Sequence, residues 1–257
     1  MSESPVSIVM PVFNREYTVA DAIDSVIRQT YADWELVAVD DGSSDGSADV
    51  IRRYDDPRIR LYTRPHVGNI ARVRNFGLQR TNGRYIAHLD SDDIWRDDKL
   101  EVHMTHFRAD PLLGVAISGG VQFGNDADAM PVHGTRVGQL FKQLVFDQRY
   151  YLLTSSVMVD RRAKTLPLAF NEKWSSVSEV DYIFRAFHQT RGVYIGQPLV
   201  KYRKHDGNYH KTLPDSWVTR EMLEMYEALH ADAILSRTQY KRLSARLTRK
   251  YPPASSA

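Results

Sequence analysis

The chain has 257 residues, 42% of them hydrophobic and 26% charged, which allows a sizeable core and argues against general disorder. It contains no cysteine, which excludes disulfides, thiolate metal sites and a cysteine nucleophile. The formal net charge of +2 carries no global signal for nucleic acid, and no continuous basic-aromatic surface can be read.

From the N-terminus, the Val- and Ile-rich run Val6–Val12 reads as a buried strand. Thr18 is placed to cap a helix, with Asp21 three residues on in the manner of a capping box. Val19, Ala22, Ile23, Val26 and Ile27 then recur at helical spacing. Glu35–Val39 is a second strand and ends at Asp40-Asp41-Gly42-Ser43. Asp45 or Ser47 caps a helix running through Tyr54. Pro57 breaks the chain, Arg58–Thr63 is a third strand, and Ile70–Gln79 is helical. Asn82-Gly83 is a turn. Tyr85–Leu89 is a fourth strand and ends at Asp90-Ser91-Asp92-Asp93. This alternation predicts an α/β fold with a mostly parallel central sheet covered on both faces.

The second half is less regular. Val115–Ser118 and Thr154–Val159 read as strands, Asn125–Gly138 as a loop, and Glu179–Thr190 as an amphipathic helix. Val193–Ile195 and Val200–Arg203 are short strands, and Ser216–Lys250 is one or two helices. No linker-like stretch separates the halves. The expected organisation is one fused domain, with a ligand-binding half over 1–110, a second half over 111–215 and a helical extension over 216–257. The short polar start, Met1 to Pro5, is unlike a signal peptide, and the longest charge-free stretch, Pro111 to Asn125, is too short to span a bilayer. A cytoplasmic, soluble protein is the expectation.

Ligands of open α/β sheets bind beyond the carboxyl ends of the strands. Two strands here end in acidic clusters at that edge: Asp40 and Asp41, then Asp90, Asp92 and Asp93. Gathered carboxylates repel unless a cation or donor groups compensate, and oxygen-only ligands suit Mg²⁺ or Mn²⁺. Either cluster alone also reads as a plain turn or cap.

Pro11-Val12-Phe13-Asn14, Val39-Asp40-Asp41-Gly42-Ser43-Ser44-Asp45-Gly46-Ser47 and Leu89-Asp90-Ser91-Asp92-Asp93 resemble the family 2 glycosyltransferases of GT-A fold. Arg74-Asn75-Phe76-Gly77-Leu78 and Gly83-Arg84-Tyr85-Ile86, in the right order between them, resemble the same family. The resemblance is continuous over roughly residues 5–100 and then reduces to islands.

It implies a GT-A fold, Rossmann-like in its mostly parallel central sheet, with a mixed acceptor-side part and terminal helices. It also implies inverting transfer of a sugar from a nucleotide-diphosphate donor, with a uracil base favoured, onto an acceptor hydroxyl of a glycan, lipid-linked saccharide or small molecule. By resemblance Pro11, Phe13 and Arg15 line the nucleotide pocket, although Phe13 reads equally as core. Asp41 accepts a hydrogen bond from the base, and Asp40 positions the ribose or braces its loop. Arg74 orients the donor. Asp90, with Ser91 beside it, faces the ribose or a metal-bound water. Asp92 binds Mn²⁺ or Mg²⁺, and Asp93 is the lesser candidate.

The family's base lies in a Glu-Asp pair six residues before a helical Arg. Counting back from Arg185 reaches Glu179, with Ser178 where Glu is usual, so the pair is altered. Glu179 is the expected base and Asp181 the second candidate; a helix-capping role for Glu179 is the alternative. Tyr202-Arg203-Lys204-His205-Asp206-Gly207-Asn208 resembles a later family island. It makes His205 a candidate metal ligand or diphosphate contact, and Arg203 and Lys204, with His210 and Lys211, candidate phosphate counter-charges. Gly207–Pro214 is a candidate lid. The basic end, Arg237 to Lys250, suggests a peripheral contact with anionic lipid, or packing on its own domain or on a second subunit in a homodimer. A dehydrogenase or nucleotidyltransferase is disfavoured because no Gly-rich loop follows the first strand. A protein that only binds sugar nucleotides is the remaining rival.

Overall fold

The structure is a computed structural model and describes residues 6–124, 134–146, 152–163, 168–208 and 213–251. The first four strands are short; three are buried along their whole length, and the one at the sheet edge is half-buried. They are β1 (Val6–Val12), β2 (Trp34–Asp40), β3 (Ile59–Thr63) and β4 (Tyr85–His88), paired in parallel in the order β3-β2-β1-β4. Helices α1 (Val19–Ile27), α2 (Ser47–Arg52) and α3 (Ile70–Leu78) are the crossovers. Side chains alternate across β1: Ile8 and Met10 join the core under α1, while Val9 faces the opposite core. A Cβ at Gly77 of α3 would lie 2.7 Å from Val9, so only glycine lets the helix approach this closely.

Beyond β4 the sheet becomes mixed. It continues through β8 (Met158–Asp160), β6 (Leu113–Gly124), β9 (Arg191–Lys204) and β5 (Ile94–Trp95), with β7 (Arg136–Gly138) also on β9. β8 is antiparallel to β4 and β6, and β6 is parallel to β9. Helices α4 (Lys99–Ala109), α5 (Phe141–Phe146), α6 (Ser178–Gln189), α7 (Asp215–Ala231) and α8 (Arg237–Lys250) complete the layers. Among the described residues no helix is long and apolar enough to cross a membrane.

Several expectations need correction. The two short strands expected at 193–195 and 200–203 are one strand, β9, whose pairing with β6 shifts register opposite Pro198, a residue with no N–H to donate. Thr154–Ser156 is a 3-10 turn ahead of β8, not strand. The expected loop 125–138 contains β7 at its end, and 125–133 lie outside the described residues. The capping box at Thr18 does not form: its hydroxyl donates to the Ser91 carbonyl at 3.1 Å, and Asp21 pairs with Arg203 at 2.6 Å.

Helix α4 escapes the apolar pattern because Lys99 and His103 occupy core positions, both fully buried beside Leu100, Met104 and Phe107. Lys99 Nζ lies 4.0 Å from the Trp95 ring and has no hydrogen-bond partner among the described residues. Burial pushes its pKa down to about 7. The unfolded chain holds this proton to about pH 10.4. Between those values the unfolded state binds more protons, so the burial cost is full below about pH 7 and is relieved as pH rises. Lys99→Met is therefore expected to stabilise most below neutrality, and its advantage should shrink by about 1.4 kcal/mol per pH unit above it. Urea melts of both proteins across that range check this, and a pH-independent difference would contradict it.

Candidate active site

The acidic ends of β2 and β4 open on one cavity of about 800 Å³ at the carboxyl edge of the sheet. Among its lining residues are Pro11, Phe13 and Arg15 after β1, Asp41 after β2 and Arg74 on α3. Asp90, Ser91 and Asp92 after β4 and Glu179 on α6 also line it. Asp40, Asp181, Arg203 and Lys204 do not, and His205 reaches the site only through its contact with Asp92.

Two loops shape one end. Gly42 takes a left-handed φ of 73°, and Asn14, at φ 50°, accepts the Ser44 N–H on its side-chain oxygen at 2.9 Å, which ties the loops after β1 and β2 together. Asp40 serves its own loop by accepting the Ser43 hydroxyl at 2.5 Å and the Ser43 N–H at 3.3 Å. The Asp41 carboxylate accepts the Val67 N–H at 3.2 Å and lies 2.8 Å from His66 Nδ1. The His66 ring stacks on Phe13 with centroids 4.1 Å apart. Phe13 is 39% exposed, so it is a cavity wall and not core.

The loop after β4 holds three carboxylates in three environments. Asp90 accepts Arg74 Nη2 at 2.7 Å; burial and the Asp92 charge raise its pKa against the pull of Arg74. Burial also opposes ionisation of Asp92, but His205 Nε2 at 3.0 Å and Arg15 Nε at 3.3 Å outweigh it, and its pKa falls below the usual carboxylate range. Asp93 is sealed inside, accepting the Ser155 hydroxyl at 2.6 Å and the Arg203 N–H at 3.1 Å, and burial beside two acids pushes it well above that range. Of the three acids in this loop, Asp92 is thus the one whose charged form is favoured. Among the described residues no three His, Cys, Asp or Glu side chains form a ready cation cage. Asp92 and His205 do converge; the carboxylate suits Mg²⁺ or Mn²⁺, which fill their remaining positions with water and substrate phosphates, and the imidazole would add a nitrogen ligand suited to Mn²⁺ rather than Mg²⁺.

Arg74 links the two sides of the site. Its side chain is 3% exposed, with Nη2 on Asp90 and Nη1 3.9 Å from Glu179. Asp181, read as the alternative base, is 1% exposed on the far side of α6 and is bound to Arg185 at 3.0 Å. Arg203, read as a phosphate counter-charge, is instead committed to the Asp92 carbonyl at 2.9 Å and to Asp21. Arg15 Nη2 reaches the Gly207 carbonyl at 3.1 Å, tying the start of the expected lid to the acidic loop. His210 and Lys211 lie outside the described residues.

The sequence pattern did not single out His66, Ser155 or Glu221. Ser155 is fully buried and serves both acids, accepting the Asp90 N–H at 3.0 Å while donating to Asp93. Nothing in a lone Ser or His within an irregular stretch signals such a contact.

Comparison with solved structures identifies the fold. S. aureus TarS residues 1–349, solved with UDP-GlcNAc, superposes with a TM-score of 0.77 at 18% identity, covering 96% of this chain and 73% of that one. A Pyrobaculum calidifontis mannosyltransferase solved with GDP-Man and Mn²⁺ gives 0.57 at 17% identity, covering 98% and 76%. The fold is that of the GT-A glycosyltransferases. The sequence model "Glycosyl transferase family 2" matches residues 7–162, and the chain belongs to that family. Among named relatives, the Escherichia coli UDP-Glc:alpha-D-GlcNAc-diphosphoundecaprenol beta-1,3-glucosyltransferase WfgD is 45% identical over 105 residues, 41% of this chain and 42% of its own length. The match therefore spans about two fifths of that relative.

Proposed function

We propose that the chain transfers a sugar from a UDP-sugar to an acceptor hydroxyl by direct displacement with inversion. One observation carries the reading: Asp90, Asp92 and Glu179 line a single nucleotide-sized cavity, and Arg74 bridges Asp90 and Glu179. The Phe13–His66 stack offers a ring face for the base, and Asp41 keeps acceptor capacity for a uracil imide beyond its bonds to Val67 and His66. Arg74 and Arg15 orient the donor's anionic groups. Glu179 removes the acceptor proton as that oxygen bonds to the anomeric carbon; the carbon–phosphate oxygen bond breaks and its electron pair leaves with UDP. When bound, Mn²⁺ or Mg²⁺ neutralises charge on the leaving diphosphate, and Asp92 and His205 are the residues that would hold it.

Residues 1–110 serve as the donor half and 111–215 as the acceptor half, where Leu152, Leu153 and Val180, with Val218 and Met222 of the helical extension, give the cavity an apolar wall. Helix α8 carries six exposed cations and no acid, which suits an anionic membrane surface beside a lipid-linked acceptor such as the one in the WfgD name. Failure to co-sediment with anionic vesicles at low salt would remove that contact.

Thermal shift tests the donor reading. UDP with Mn²⁺ is expected to raise Tm, by about 2.7 kcal/mol of added stability at a hundred times Kd, and chelator should remove most of the gain. A flat response to UDP, UDP-glucose, UDP-galactose and UDP-N-acetylglucosamine would overturn it. A protein that only binds sugar nucleotides would shift in the same way yet hydrolyse none of them.

A further inference from the structure

Helix α6 begins without a cap of its own: its N-cap is Val177, and no side chain there accepts an N–H. The turn leading into it is held from outside. Glu221 of α7 is 7% exposed and carries no ion pair among the described residues. Its Oε1 accepts the Ser175 N–H at 2.9 Å and the Ser175 hydroxyl at 3.0 Å. Its Oε2 accepts the Ser176 N–H at 2.6 Å and the Ser176 hydroxyl in a still shorter bond. Burial opposes its ionisation, but these serine donors outweigh it and hold the group below the usual glutamate range. Two of the four donors are backbone N–H groups, which can only donate, so the turn demands an acceptor on both carboxylate oxygens.

The place of this clamp matters. Ser176 lines the cavity three residues before Glu179. On α7, Val218 and Met222 flank Glu221 and line the same cavity. A second tie, Arg185 to Asp232 at 2.8 Å, keeps α6 on the end of α7 by another route.

We propose that Glu221 is a positioning residue: by clamping the Ser175–Ser176 turn from α7, it sets Glu179 at the reach of the acceptor hydroxyl. This rests on Glu179 being the base. Glu221→Gln is the informative change, because it keeps shape while turning one acceptor into a donor that faces N–H groups. Its kcat, for whichever of UDP-glucose, UDP-galactose and UDP-N-acetylglucosamine the protein hydrolyses, is expected to fall about tenfold or more, as a misplaced base would give. UDP affinity by calorimetry should stay within about twofold, since the donor contacts lie elsewhere. The acidic limb of the kcat–pH profile should move with the environment of Glu179, which a general loss of stability would not produce. Should Glu221→Gln fail to fold, the double variant Ser175→Ala/Ser176→Ala removes only the two hydroxyl bonds, and the same split between kcat and UDP affinity is expected on a smaller scale.

An unchanged kcat and pH limb, or an equal loss of kcat and UDP affinity, overturns the proposal. Glu179→Gln is measured alongside. If it loses turnover while Glu221→Gln keeps it, the clamp falls alone. If Glu179→Gln keeps turnover, the base assignment falls and the clamp falls with it.

Discussion

Asp92→Ala is expected to lower sugar transfer by about a thousandfold or more, roughly 4 kcal/mol of transition-state stabilisation. Asp92 lines the cavity, His205 and Arg15 lower its pKa, and in the proposed function it is the acid that would grip the cation. Its removal leaves Arg15 and His205 without their shared partner, so Mn²⁺ should no longer enhance UDP binding. The control is Asp45→Ala. Asp45 accepts the Ser47 N–H at 2.9 Å and the Glu16 N–H at 3.1 Å, at a helix start away from the cavity lining. The cap of that helix is Gly46 and not the expected Asp45 or Ser47, but losing these bonds just before it should cost about 1 kcal/mol of stability and leave turnover unchanged. Initial rates at saturating donor and Mn²⁺ separate the two. Asp92→Ala retaining more than about a tenth of wild-type turnover would remove its cation role.

Glu179→Gln should lower turnover by about 10²- to 10⁴-fold, the range a positioned general base supplies, with UDP affinity unchanged. The amide keeps the size of the side chain and its place 3.9 Å from Arg74 but has no basic oxygen to take a proton. Asp181→Asn makes the contrast. It cuts a buried pair with Arg185 and should cost about 3 kcal/mol of stability, the order seen when one partner of a buried ion pair is removed. Turnover per folded molecule should be kept. Single-turnover rates with calorimetric UDP binding read both variants. The reverse result, Asp181→Asn inactive and Glu179→Gln active, would move the base by two positions.

The two carboxylates also show where linear sequence stops. Counting back from Arg185 reached Glu179 but left Asp181 open, because both sit in the first turn of α6. Their directions differ: Glu179 lines the cavity, while Asp181 points into the core onto Arg185. In sequence, Arg203 and Lys204 are alike candidate phosphate counter-charges and His205 a candidate metal ligand or diphosphate contact. Folding divides this run, spending Arg203 on Asp21 and the Asp92 carbonyl and bringing His205 to the Asp92 carboxylate.

What the sequence alone determined is local. Short Val- and Ile-rich runs ending in Asp-Asp-Gly-Ser and Asp-Ser-Asp-Asp, with helical spacing between them, dictate parallel strands whose acidic ends share one edge. That was enough for the fold class, and Pro11, Phe13, Arg15, Asp41, Asp90 and Asp92 do line one cavity, since each motif lies within a few residues of the strand that carries it. What only the tertiary structure decided are contacts across long separations: His66 under Phe13, Ser155 between Asp90 and Asp93, and Glu221 on the turn before Glu179. These are single polar side chains in segments without periodicity. Their partners are chosen by the packing of α7 and the loop before β8 against the sheet, a choice that no local spacing encodes.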